Sequence, residues 1–277
     1  FSKHQDDAAA PVRPGNLNFI LVCVFIDMLG IGLVVVGAVL ASYLSNAQTG
    51  RLQSAAAQMD EDAQIGLRIL TRELLMAGYA MPTSMNADTR VFNQSYEGRA
   101  VFGCDKGFSA APSANPSTCA SSGGTPSIEI AYEVDLYNSV VSNGKGTDCA
   151  GVAVPASQNG ITFNRYGVGS SSPGRSELRC SSGNSTIPLV DNVERLQFWY
   201  GQSDGGASPQ LIRYTQASDA DFSRVMSVRV CLLMRSSEAP AKAEDAAWQS
   251  YLDCDGVRRT AADGRLRRVY FSTIALR

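Results

Sequence analysis

Residues 19–44, FILVCVFIDMLGIGLVVVGAVLASYL, hold one acid, Asp27, and no base. The run has no polar face at any helical period. At about 1.5 Å per residue it reaches roughly 39 Å, enough for a bilayer core of about 30 Å. A secretory signal has a shorter apolar region and a small-residue cleavage site, so a membrane anchor is expected here. A carboxylate in hydrocarbon is costly, which marks Asp27 as a candidate functional residue in need of a partner.

The helical signal continues past Leu44 with a different pattern. Leu52, Ala56, Met59, Ala63, Gly66, Leu70, Leu74 and Ala77 recur at spacings of three and four. That spacing puts them on one stripe of a helix. Gly78 and Pro82 follow as stop signals. One helix of about 60 residues is therefore predicted, apolar all round in its first half and amphipathic in its second.

After Pro82 the period becomes two. In SIEIAYEVD the residues Ile128, Ile130, Tyr132 and Val134 alternate with Glu129, Ala131, Glu133 and Asp135. RLQFWYG sets Leu196, Phe198 and Tyr200 on one face, and MSVRVCLLMRS does the same with Val228, Val230, Leu232 and Met234. RVYFSTIALR reads as a last strand and ITFNRYG as a shorter one. Strands that follow one another without helices between them predict an antiparallel sheet, so the fold class is α+β. Stretches rich in Ser, Gly, Pro and Ala read as loops: residues 105–127, GVGSSSPGRSE and SSEAPAKAEDAAWQS.

Charge changes this picture little. A net charge of −2 gives no basic excess, and no nucleic-acid contact is expected. Cysteine changes it more. Cys23 lies in the apolar run, while Cys104, Cys119, Cys149, Cys180, Cys231 and Cys254 lie in the soluble part without a CxxC pair. A zinc site is disfavoured, and disulfides in an oxidising compartment are expected. Six cysteines allow 15 pairings. Local pairing in chain order would bracket the loops, as Cys104–Cys119, Cys149–Cys180 and Cys231–Cys254.

Candidate chemistry is sparse. His4 is the single histidine and stands in the polar head, which removes most histidine-based catalysis and metal binding. No phosphate-cradling, nucleophile-elbow or calcium-loop motif occurs, and no cofactor is expected. QSDGGAS (202–208) reads as a hairpin turn. Glu129 and Glu133 read as a solvated strand face. Arg265, Arg267 and Arg268 read as solvated or salt-bridged, and Trp199 and Trp248 as packing residues. An enzyme is not expected.

An apolar helix, an amphipathic extension and a cysteine-bearing β domain is the layout of type IV pilins. AQIGLRILTRELLMAGYA resembles the helix end of PilW-type minor pilins through Arg72, Glu73, Leu74, Ala77, Gly78 and Tyr79. DNVERLQFWYG, DFSRVMSVRVCLLMRS and DGRLRRVYFSTIALR, in that order, are similar to the family's C-terminal half. The resemblance covers residues 30–80 and 190–277.

It implies a pilin-like division: a polar head (1–18), a transmembrane half-helix (19–44), an amphipathic half-helix (45–80) and a periplasmic β-rich domain (81–277). It also implies an inner-membrane protein that helps initiate pilus assembly and sits near the tip, supporting twitching and adhesion. Its implied partners are other minor pilins and the major pilin through the helix, the inner membrane before assembly, and a tip adhesin. The alternatives are a J-type pseudopilin of type II secretion and, in another class, a membrane-anchored periplasmic enzyme or binding domain. The family's prepilins carry a Gly-Phe cleavage junction and a Glu five residues into the mature chain; no such run precedes residue 50, and Phe1 is followed by polar residues. Without an initiator methionine, a processed or truncated chain is expected. Asp27 is the acid left to take that glutamate's part, a few residues late.

Overall fold

The structure, a computed structural model, describes residues 14–85, 92–94, 96, 98–112, 117–155, 158–172, 174–206, 208–240 and 249–276. The chain divides into two compact units between Leu52 and Gln53. One helix, α1 (Pro14–Met76), contributes to both.

In the first unit every residue from 18 to 50 is exposed. Gly30, Gly32 and Gly37 face open space. The segment is long and apolar enough to cross a membrane. Nothing in it selects one face over another, because its sequence is apolar on all of them.

The second unit begins inside α1, and there the stripe is buried. Met59 and Ala77 are 4% exposed, and Ala63, Leu70 and Leu74 are fully covered. A Cβ built on Gly66 would stand 3.0 Å from Leu232 Cδ1 and 3.8 Å from both Leu178 and Val190. The helix axis comes close to the sheet at that point because the residue has no side chain. Each of Leu70 and Leu74 contributes roughly 1.5–3 kcal/mol through its burial. The helix stops at Met76, a turn before residue 80, and Gly78 (φ +75°) supplies the left-handed cap.

All strand pairings are antiparallel. β1 (Pro82–Met85) pairs with β2 (Phe92–Gln94). A five-stranded sheet has the order β3-β4-β7-β8-β9, from β3 (Val101–Cys104), β4 (Ser127–Glu133), β7 (Ile161–Ser172), β8 (Arg175–Ser182) and β9 (Ser185–Asp191). β5 (Val141–Ser142) and β6 (Lys145–Gly146) form a small hairpin between β4 and β7 in the chain. A four-stranded sheet has the order β11-β10-β12-β15, from β10 (Val193–Ser203), β11 (Leu211–Thr215), β12 (Val225–Arg235) and β15 (Arg267–Ala275). β13 (Ser250–Leu252) pairs with β14 (Arg258–Thr260).

The alternation seen in the sequence sets the register. Leu196 faces Leu232, Phe198 faces Val230 and Tyr200 faces Val228 across the β10–β12 ladder, and all six are 2% exposed or less. The same period buries Ile128 and Ile130 on β4.

Two readings of the sequence are corrected. GVGSSSPGRSE is not a loop: it forms the ends of the long hairpin β7–β8, with Val168 paired to Leu178. The small polar residues at its tip hide the strand pattern, and ladder hydrogen bonds hold it regardless of side chain. Glu129 is not solvated either; it is 6% exposed, because the loop after β3 covers that face of β4. Trp248 and His4 lie outside the described residues.

Candidate functional site

The most specific sequence run, Arg72 to Tyr79, is where α1 meets the five-stranded sheet. Glu73 stands beside the buried Leu74, and its Oε2 accepts hydrogen bonds from the Tyr132 hydroxyl and Asn164 Nδ2, each at 3.1 Å. Asn164 Nδ2 also donates to the Tyr132 oxygen at 3.2 Å, and Thr162 donates to Asn164 Oδ1 at 2.9 Å. Burial, and then the Glu73 charge, push the Tyr132 and Tyr166 hydroxyls far above the ordinary tyrosine range. Arg72 donates to the Asn138 carbonyl at 3.1 Å, and the Tyr79 hydroxyl donates to Asp135 Oδ2 at 3.0 Å. Between them Gly78 N–H donates to the Ala131 carbonyl at 2.9 Å. A Cβ on Gly78 would reach Ala100 Cβ at 3.0 Å. Hydrogen bonding, burial or a left-handed turn thus accounts for every residue that carries the resemblance in this run.

A second polar anchor holds the other end of the buried stripe. Arg268 Nη1 donates to Asp60 Oδ1 at 3.0 Å, and the Tyr270 hydroxyl donates to the same oxygen. Burial, then the bond to Asp60, raise the Tyr270 pKa to about 12. At about 100° per residue, Asp60 and Glu73 fall on opposite shoulders of the stripe. The apolar stripe sets the contact, and two carboxylates, one per shoulder, fix its rotation. Neither shoulder residue was assigned a role from sequence; position beside a buried stripe residue is the signal that could have found them.

The six soluble cysteines pair as Cys104–Cys119, Cys149–Cys180 and Cys231–Cys254, with Cα–Cα separations of 5.3, 6.3 and 5.9 Å. Buried ion pairs reinforce two of the bracketed segments. Arg165 on β7 reaches Glu129 at 2.6 Å and Ser117 at 2.7 Å, and its guanidinium lies 4.0 Å from the Phe108 ring centroid. Asp253, beside Cys254, accepts from Arg195 and Arg259. Its side chain is 2% exposed, so two cations offset the cost of burying one anion. Trp199 packs against the cluster of Cys231, Leu233 and Cys254.

The remaining sequence candidates are structural. Glu133 accepts from the Met81 N–H at 2.6 Å. Arg265 donates to the Ser236 carbonyl, Arg267 bridges Glu194 and Asp263, and Arg268 belongs to the Asp60 anchor. Of QSDGGAS, Gln202 and Ser203 end β10, and Asp204 to Gly206 follow it on the way to β11, with Gly205 at φ +73°. Asp27 is exposed, on the apolar half of α1. Among the described residues no group of three His, Cys, Asp or Glu side chains is placed to hold a metal ion.

The described residues thus show a long helix, apolar in its first half and fixed by its second half to disulfide-bearing antiparallel sheets, an α+β fold. The family described as Type IV Pilus-assembly protein W matches residues 165–277, and this supports a PilW-type pilin. The matched segment takes in β8 and β9, which the sequence resemblance had left out. Among solved structures, a type IV-like pilin from Thermus thermophilus is similar over 78% of this chain and 96% of its own, at 14% identity and a TM-score of 0.36. No curated protein matches the chain. The match supports a type IV pilus association, and the apolar helix is compatible with a single-pass anchor.

Proposed function

We propose that this chain is a minor pilin that helps initiate type IV pilus assembly and then sits at or near the pilus tip, supporting twitching motility and adhesion. The observation that carries this reading is the family match over the C-terminal sheets, on a chain whose helix leaves residues 18–50 exposed at every position. Before assembly, lipid covers that surface, with the sheets on the periplasmic side where disulfides persist. During assembly the helices of other minor pilins and of the major pilin replace the lipid. Asp27 is exposed in the apolar run and meets a cationic group of a neighbouring chain, which offsets its desolvation. A tip adhesin is a further partner.

Deletion of the gene in its host tests this. Surface pili and twitching are expected to fall or vanish, and the wild-type gene restores them. Complementation with Asp27→Ala is expected to restore membrane insertion while restoring piliation less. Normal piliation in the deletion strain would sink the proposal, and full rescue by Asp27→Ala would remove Asp27 from it.

A further inference from the structure

One face of the five-stranded sheet packs toward α1; the other carries polar side chains. On that outer face Ser127, Gly167 and Arg179 stand in register across β4, β7 and β8, with Arg165 paired to Ser181 one step along. Residues 106–112 and 120–125 stand over this floor. Between them is an open cleft of about 800 Å³. That is within the size range of small-molecule sites.

Three cations line the cleft, Lys106, Arg165 and Arg179, and no carboxylate does among the described lining residues. Each of the three nitrogens of Arg165 already has a partner, in Glu129, Ser117 and the Ala110 carbonyl. The other two keep donors to spare. Lys106 is exposed, has no ion pair among the described residues, and makes a single bond, to the Ser121 carbonyl at 3.1 Å. Arg179 Nε lies 3.3 Å from Glu177 Oε1, and neither atom makes an aligned hydrogen bond. Glycines keep the floor bare beneath it: a Cβ on Gly169 would stand 2.6 Å from Arg179 Cδ. Ser127 Oγ is buried at the floor without a partner. Around the cations stand neutral donors and acceptors, Ser181, Thr186 and Asn184 among them.

We propose that this cleft binds an acidic sugar, a carboxylated unit of a polysaccharide. A planar guanidinium takes a carboxylate through two parallel bonds, and a lysine adds a point charge. Hydroxyl and amide side chains pair with ring hydroxyls, which a bare inorganic anion does not offer. The proposal concerns the second unit alone and does not rest on the assembly reading: binding is measured on purified protein and assembly on cells, so either can fail without the other.

The test is calorimetric titration of the full chain, in a detergent without sugar headgroups, with digalacturonate, neutral digalactose and inorganic phosphate. Saturable binding of digalacturonate is expected, with digalactose weaker by about tenfold or more. Lys106→Ala and Arg179→Gln are each expected to weaken digalacturonate binding by about tenfold, with the melting temperature of the exposed Lys106→Ala variant unchanged. Absence of digalacturonate binding, equal binding of the neutral sugar, phosphate binding as tight as digalacturonate, or full affinity in Lys106→Ala would each overturn the proposal.

Discussion

Residues 18–50 and 53–76 belong to one helix and answer to different surroundings. The first segment is exposed at every position; the second buries Met59, Ala63, Gly66, Leu70 and Leu74 and little else. Backbone geometry does not distinguish them. What differs is whether apolar residues go round the helix or lie along one stripe. A stripe states that a protein surface waits on one side only. An apolar girdle states that the surroundings on all sides are apolar, lipid or other helices. The polar anchors follow the same division. Asp60 and Glu73 have partners on the sheets, whereas Asp27 has none within its own chain among the described residues.

The contrast is broken most easily by truncating one residue in each segment. Leu70→Ala or Leu74→Ala removes a fully buried side chain and is expected to cost about 2–5 kcal/mol in denaturant unfolding. Val35→Ala, in the exposed segment, is expected to stay within about 0.5 kcal/mol in the same assay. Equal losses at both places would mean that the first segment has a fixed partner inside its own chain.

A smaller effect separates the polar anchors from the apolar stripe. Glu73→Ala leaves the Tyr132 hydroxyl and the Asn164 amide without their shared acceptor, at a cost of about 1–3 kcal/mol. Glu73→Gln keeps an acceptor oxygen and is expected to recover part of the loss. If both variants unfold like wild type, the shoulder has no role in seating the helix.

The smallest expected effect is a pH dependence at the Asp60 end. Tyr270 rises from an ordinary value near 10 to about 12, chiefly through burial and then through its bond to Asp60. A raised folded-state value favours the protonated form, so this contribution is fully present below about pH 10 and lost as pH rises through about 12. Tyr270→Phe is expected to flatten the stability profile in that window. An unchanged profile would show that the Asp60–Tyr270 bond adds nothing to docking.

Much of this was legible in the sequence, and the legible part has a common cause. Periods of 3.6 and 2 report which faces are covered, and they located the stripe and the inward faces of β10 and β12, whose register came from the structure. The ends of β7 and β8 were not legible, since Ser and Gly at a hairpin tip carry no alternation while the backbone ladder still forms. Glu129 was misread for a related reason. Alternation says which face of β4 is polar; it cannot say that a loop folds over that face and brings Ser117 and Arg165 to the carboxylate. Of the candidate site, the Arg72–Tyr79 run was visible as a pattern. Its meaning needed contacts some 60 to 90 residues away, from Glu73 to Tyr132 and Asn164.

The central claim is that the exposed apolar segment serves other pilus helices as well as lipid. The most direct measurement replaces residues 19–44 with an unrelated single-pass span and compares the protein in sheared pili with wild type, at equal membrane levels. The account predicts wild type in both membrane and pili, and the replaced chain in the membrane alone. A replaced chain that enters pili as well as wild type would contradict it.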